Sequence, residues 1–146
     1  MKDCETKLHE LKEKLEKIVN SDFLSFEDIA KKEKIMAVYF VFKKRGGEKP
    51  IYIGSTNNLH VRFGTDMKYQ STHTLYKKLL DEGHLPENIR DFLIRKCRYK
   101  IAECADKTEA GALEHFAIWA FQPEYNAPIY RKAVNPLLFA SLIGEI

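Results

Sequence analysis

Apolar and polar positions alternate with period two from Met36 to Phe42, with Met36, Val38, Phe40 and Phe42 on one face and Ala37, Tyr39 and Val41 on the other. That period predicts a β-strand. The run from Lys43 to Pro50 breaks it with Gly46 and Gly47, and Ile51 to Gly54 resumes as a second strand, so the stretch reads as a hairpin closed by a loop. Placing Phe40 opposite Ile53 on the core face sets Tyr39 opposite Gly54 and Val41 opposite Tyr52, which makes the two tyrosines diagonal neighbours. A glycine at that spot leaves room for something to approach the sheet. Ser55, Thr56, Asn57 and Asn58 follow as capping residues, and Leu59 and Phe63 carry the i, i+4 spacing of a short helix. The amides of its first turn would face the end of the hairpin, where Arg62 could add a charge and a bidentate fork for an anion.

Elsewhere the spacing is mostly helical. Leu8, Leu11, Leu15 and Ile18 form a narrow stripe over Lys2 to Asn20, too short for a coiled coil, so this helix is expected to pack on the domain. Ser25 and Asp28 have the form of a capping box over a second short helix. A basic linker, Lys31, Lys32 and Lys34, reads equally as a solvated connector or a backbone contact to nucleic acid. Gly64 to Thr72 reads as a loop lying where a substrate would sit. Thr74 opens a helix through Leu75, Leu79 and Leu80 that Gly83 stops. From Pro86 to Cys104 two readings stand: a short helix capped by Asn88 through Phe92 and then a strand around Tyr99, Ile101 and Glu103, or a strand already beginning at Phe92. Arg90, Arg95, Lys96, Arg98 and Lys100 make this the densest basic stretch, either a phosphate-binding patch or a strand edge guarded by charge.

Asp106 and Glu109 suggest a capping box for a helix reaching about Phe121, with Leu113, Phe116, Ala117, Ala120 and Phe121 inward and Pro123 as its stop. Glu114 falls inside that apolar helix, where a bound cation, a salt bridge or an outward orientation would each relieve the cost of burial. His115, about 100° round the helix, reads as packing or surface. Asn135 and Pro136 open a last apolar helix, which must pack on the domain or a partner.

At 146 residues the chain is one domain's length and can bury a core unaided. Its formal charge of +3 permits a polyanionic partner without demonstrating one. Cys4, Cys97 and Cys104 are odd in number and lack zinc-hook spacing, so they read as reduced thiols. Absence of an apolar span of membrane length and of a leader predicts a cytoplasmic protein that does not enter membranes.

Taken together, Ala37-Val38-Tyr39, Tyr52-Ile53-Gly54-Ser55, Asn58-Leu59 and Arg62, with Glu114 and Pro123-Glu124-Tyr125-Asn126 downstream, resemble the signature of the GIY-YIG nuclease family from Met36 to about Pro128. The resemblance implies an α+β fold, a small, mainly antiparallel three-stranded sheet flanked by helices. The corresponding division is a helical extension over 1–34, a nuclease domain over 35–128 and a helical extension over 129–146 packed on it. It also implies Tyr39, Tyr52, Arg62 and Glu114 as catalytic residues, Glu114 as ligand of Mg²⁺ or alternatively Mn²⁺, and Asn126 as a structural residue beside the site. Gly54, Ser55, Asn58 and His73 are the substrate-binding candidates. Ala37 replaces the family's usual glycine, and Asp66 stands where many members carry a histidine. The implied activity is one-step hydrolysis of phosphodiesters in DNA, with RNA left open, by a monomer or weak dimer. A non-cleaving nucleic-acid-binding module on the same fold is the alternative, and a scaffold acting through the terminal helices is a third class.

Overall fold

The computed structural model describes residues 3–32, 35–63 and 74–126. A three-stranded antiparallel sheet, in the order β2-β1-β3, forms its middle layer. Strand β1 (Ala37–Lys43) pairs with β2 (Tyr52–Thr56) on one side and β3 (Cys97–Glu103) on the other. The observed register sets Phe40 against Ile53, Tyr39 against Gly54 and Val41 against Tyr52, as the alternation predicts. Gly47 takes a φ of 91° in the connecting loop, a conformation that only glycine adopts cheaply.

Helix α1 (Cys4–Val19) is capped by Asp3, whose carboxylate accepts from the Thr6 amide, and it ends at Asn20. Helix α2 (Phe26–Ala30) carries the complete capping box of Ser25 and Asp28. The short α3 (Leu59–Val61) follows β2, and α4 (Thr74–Asp81) stops at Gly83, where φ is 95°. Between Pro86 and Cys104 the chain forms α5 (Pro86–Asp91), a π-helical turn over Phe92–Lys96 and then β3, so the first of the two sequence readings holds with a correction. Leu85, not Asn88, is the cap, because Pro86 supplies the fixed φ of the first helical position without needing a side-chain bond. Helix α6 (Lys107–Phe121) is capped by Asp106, and its last turn closes on Gln122 in the left-handed region before Pro123.

Both faces of the sheet are buried, which the alternation of β1 does not reveal because each face is apolar. Val38, Phe40, Phe42 and Ile53 pack against α1 and α6, where Leu15, Leu113 and Ala117 are fully covered. Ala37, Tyr39, Val41 and Tyr52 face the larger core, with Phe26, Ile29, Phe63, Leu75, Ile89 and Tyr99. Helix α1 is thus part of the domain's packing, as its narrow stripe predicts.

Both sheet edges are closed locally. Leu24 exchanges two backbone hydrogen bonds with Tyr99, at 2.7 and 2.9 Å, along the outer side of β3. On β2, the Tyr125 amide donates to the Ile51 carbonyl at 2.9 Å, and Asn126 continues the pairing with its side chain. Closing an edge in this way denies it to another strand. Among the described residues no helix is long and apolar enough to cross a membrane. The three cysteines are free, with Cys97 buried and its thiol pushed up to about 12 by that burial. The loop over 64–72, Lys34, Asp66, His73 and the helix expected from Asn135 lie outside the described residues, as does the extension over 129–146.

Candidate active site

Four of the sequence-predicted residues come from four separate elements and lie within electrostatic reach of one another near β2. Tyr39 projects from β1 onto the larger core and has no solvent exposure. Tyr52 lies beside it on β2, with ring centroids 6.1 Å apart, and is 7% exposed. Arg62 stands immediately after α3, and Glu114 reaches in from the middle of α6; both are half-buried. Each tyrosine feels the Arg62 guanidinium and the Glu114 carboxylate with opposite sign, which places all four in one electrostatic neighbourhood.

Burial dominates the tyrosines' acidity. It pushes Tyr39 well above the usual phenol range, and the neighbouring Tyr52 and Glu114 add to the rise against the opposing pull of Arg62. Tyr52 is also raised by burial, but a hydrogen bond from the Thr74 side chain and one from Tyr39 work the other way. Tyr39 and Tyr52 are thus coupled neighbours, and burial holds the Tyr39 proton, since a phenol removed from water loses its proton at still higher pH than a free one.

Gly54 has a use the sequence does not announce. A Cβ built there would lie 2.5 Å from the Tyr39 Oη, 2.6 Å from its Cζ and 3.0 Å from the Tyr52 Cε2. The room opposite Tyr39 is filled by the Tyr39 ring itself, not by an approaching ligand. Phe63 seals the far side, its ring at 84° to Tyr39 with centroids 5.3 Å apart.

Ser55 and Glu114 are joined directly, the Ser55 hydroxyl donating to Glu114 Oε1 at 2.9 Å. Glu114 is half-buried and hydrogen-bonded at the sheet margin. Asn58 serves as the α3 cap, accepting from the Val61 amide at 3.2 Å. The Leu59 amide donates to the Ile35 carbonyl and the Arg62 amide to the Asn58 carbonyl, at 3.2 and 3.0 Å. Those amides are thus occupied, and the anion site expected at the start of this helix is not formed by them.

Asn126 pairs with both polar groups of Ile53, accepting from its amide at 2.9 Å and donating to its carbonyl at 2.8 Å. This side chain acts as one more rung on the β2 edge and fixes the strand between Tyr52 and Gly54. Only half of the expected box on α6 forms: the Glu109 amide donates to Asp106, while the Glu109 carboxylate goes to Lys14 of α1. His115 is exposed.

A cleft of about 300 Å³ opens beside these groups, lined by Ser55, Thr56, Asn57, Arg62, Lys107 and Gly111 among others. Lys107 was not singled out in the sequence; its place emerges only when α6 packs against the end of β2. Among the described residues no group of three or more His, Cys, Asp or Glu side chains gathers into a metal cluster. A single carboxylate held by a hydroxyl, with a polar cleft next to it, fits a hard divalent cation that keeps most of its ligands as water and phosphate. It does not fit a metal that needs an all-protein cage.

No protein-family model matches the chain. No curated protein matches it either. Among solved structures it is similar to two point mutants of the GIY-YIG N-terminal endonuclease domain of UvrC from Thermotoga maritima, each bound to its catalytic divalent cation. The identities are 21% and 20%, both TM-scores are 0.48, and each match covers 69% of this chain and 92% of the other. At this level the likeness concerns the fold.

Proposed function

We propose that this chain is a metal-dependent endonuclease of the GIY-YIG type that hydrolyses phosphodiester bonds in DNA in one step. The carrying observation is the convergence of Tyr39, Tyr52, Arg62 and Glu114 from β1, β2, the end of α3 and α6 onto one margin of the sheet. An acidic group held beside an arginine has a clear use where a phosphate and a cation must be bound together. A structural packing site has less need of it.

In this reading Arg62 neutralises the nonbridging phosphate oxygens through its planar fork. Glu114, oriented by Ser55, is the residue that would hold Mg²⁺ or Mn²⁺. A cation held there would supply positive charge that stabilises the departing oxygen. Tyr39 keeps its proton and holds Tyr52 in place. Tyr52, the less enclosed of the two, is the phenol that would face the water or phosphate. Asn126 keeps β2 straight beneath them.

The alternative of a non-cleaving nucleic-acid-binding module draws on Asp66 standing where many GIY-YIG members carry a histidine, and on the complete burial of Tyr39. Labelled linear, branched and single-stranded DNA incubated with Mg²⁺, Mn²⁺ or EDTA separates the two. Metal-dependent cutting that Glu114→Ala and Arg62→Ala each abolish, with circular dichroism unchanged, is the expected result. Binding without cutting on every substrate would overturn it in favour of the module, and neither binding nor cutting would discard both.

A further inference from the structure

The basic stretch around β3 does not stay together in the fold. Arg98 lies with its guanidinium carbon 3.6 Å from the Phe23 ring centroid and donates to the Gly47 carbonyl. Lys100 is buried, donating to the Val19 carbonyl at 2.6 Å and thereby capping the last turn of α1. Those two charges support packing on the α1 side of the sheet. Arg95 and Lys96, by contrast, stand exposed on the π-helical turn and join a second basic group from a distant part of the chain.

That second group is Lys43, Lys44 and Arg45, where β1 runs out into the hairpin loop. Together with Arg95, Lys96 and the half-buried Phe92 they line a groove of about 650 Å³. The Lys44 amide donates to the Lys96 carbonyl at 2.9 Å, so the two segments are fixed to each other by backbone and the charges sit on an ordered frame. Among the described residues these five basic side chains have one acidic ion-pair partner, Asp91, which lies 3.3 Å from Arg95 and 3.9 Å from Lys96, while the whole chain carries only +3. Lys43, Phe92 and Lys96 also line an adjoining cleft that reaches Tyr125, the residue before Asn126. Lys43 is on the same face of β1 as Tyr39, four residues on, or about 13 Å along the strand.

We propose that this groove is a second nucleic-acid contact, holding the phosphate backbone that flanks the candidate active site through Lys44, Arg45, Arg95 and Lys96. The inference rests on the nucleic-acid reading above. A separation of about 13 Å corresponds to roughly four phosphates of one strand at 3.4 Å of axial rise each. Nucleic acid held at the exposed margin beside Ser55, Thr56 and Arg62 would be long enough to reach the groove. Phe92 offers the groove floor an apolar surface against which sugars can lie.

The test is binding of a fluorescein-labelled 30-base-pair duplex, and of one of its single strands, by anisotropy in EDTA across a salt series. The variant Lys44→Ala/Arg45→Ala/Arg95→Ala is compared with Lys7→Ala/Lys12→Ala/Lys17→Ala, which removes the same charge from α1. All three groove positions are exposed, and circular dichroism checks the fold. The groove variant should bind at least about tenfold more weakly at 0.1 M salt, with the slope of log K against log salt smaller by roughly 2 to 3, because each lost duplex phosphate contact removes about 0.9. Should the triple variant misfold, Lys44→Glu and Arg95→Glu measured singly must each weaken binding, or the proposal fails. Equal losses in the groove and α1 variants overturn it, and if Mg²⁺-dependent cutting persists in both, the nuclease reading survives. Groove-dependent binding without any cutting supports the groove and removes the nuclease reading. A wild type that binds neither probe overturns both.

Discussion

Replacing Gly54 with alanine tests the construction of the site more sharply than removing any charged group. The added methyl would sit 2.5 Å from Tyr39 Oη and 2.6 Å from Cζ, against an ordinary carbon contact of about 3.5 to 4.0 Å, so an overlap near 1 Å must be relieved. Tyr39 cannot swing away easily, since it is fully buried with Phe63 on one side and Tyr52 on the other. Overpacking of this kind costs about 1–3 kcal/mol. Alanine in a strand returns roughly 0.5–1 kcal/mol through its smaller backbone entropy loss, leaving a net destabilisation of about 1 kcal/mol at the middle of the two ranges and about 2.5 kcal/mol at most. For a chain of this size that lowers Tm by roughly 2–8 °C in a thermal melt followed by circular dichroism. The same substitution should reduce cleavage more than tenfold, because the displaced phenol no longer holds Tyr52. A double-mutant cycle with Tyr39→Val isolates the contact: in that background the ring is gone and Gly54→Ala should be neutral or stabilising. An unchanged Tm in the wild-type background, or the same penalty in both backgrounds, would refute the reasoning.

Other perturbations reach the same site by different routes. Asn126→Ala removes both bonds to Ile53 and should lower unfolding stability by about 1–3 kcal/mol in urea titrations, whereas a loss below the error of the fit would mean the β2 edge holds without it. Ser55→Ala should leave stability within about 1 kcal/mol while raising the Mg²⁺ concentration needed for half-maximal cutting, since only the orientation of Glu114 changes. High pH should unfold the protein in a graded way. Cys97, Tyr39 and Tyr99 all have pKa values raised in the folded state, so above about pH 9 for the thiol and pH 10 for the phenols the unfolded chain binds fewer protons than the folded one, and stability falls by up to roughly 1.4 kcal/mol per pH unit for each group. Urea midpoints measured between pH 8 and pH 11 check this, and a flat profile would contradict the burial of these groups.

What the sequence discloses and what it conceals follow from the range of the interactions. The hairpin register is legible because alternation fixes it residue by residue, and Gly46, Gly47 and Pro50 mark the turn. The caps at Ser25 and Asp106 are legible for the same reason: donor and acceptor lie three residues apart. The fate of Arg98 and Lys100 is not, because their partners, Phe23 and the Val19 carbonyl, lie some 75 to 81 positions away in the chain. The groove is hidden likewise, its two halves being separated by about fifty residues. Within the candidate site, the identity of Tyr39, Tyr52, Arg62 and Glu114 is readable, but the filling of Gly54 by Tyr39 and the bond from Ser55 to Glu114 depend on packing between layers.

The two tyrosines, equivalent in the sequence, are made unequal by where the fold puts them. Tyr39 belongs to the central strand and is covered by helices and Phe63, so its charged form is the costlier of the two. Tyr52 belongs to an edge strand, and its interactions with Thr74 and Tyr39 offset part of the rise that burial causes. The pair couples the buried ring to the one nearer Arg62 and Glu114. Glycine at position 54 is what permits the contact, since any side chain there would part the inner ring from its strand. The chemistry assigned to the site thus depends less on an unusually acidic tyrosine than on a rigid inner phenol that sets the direction of the outer one.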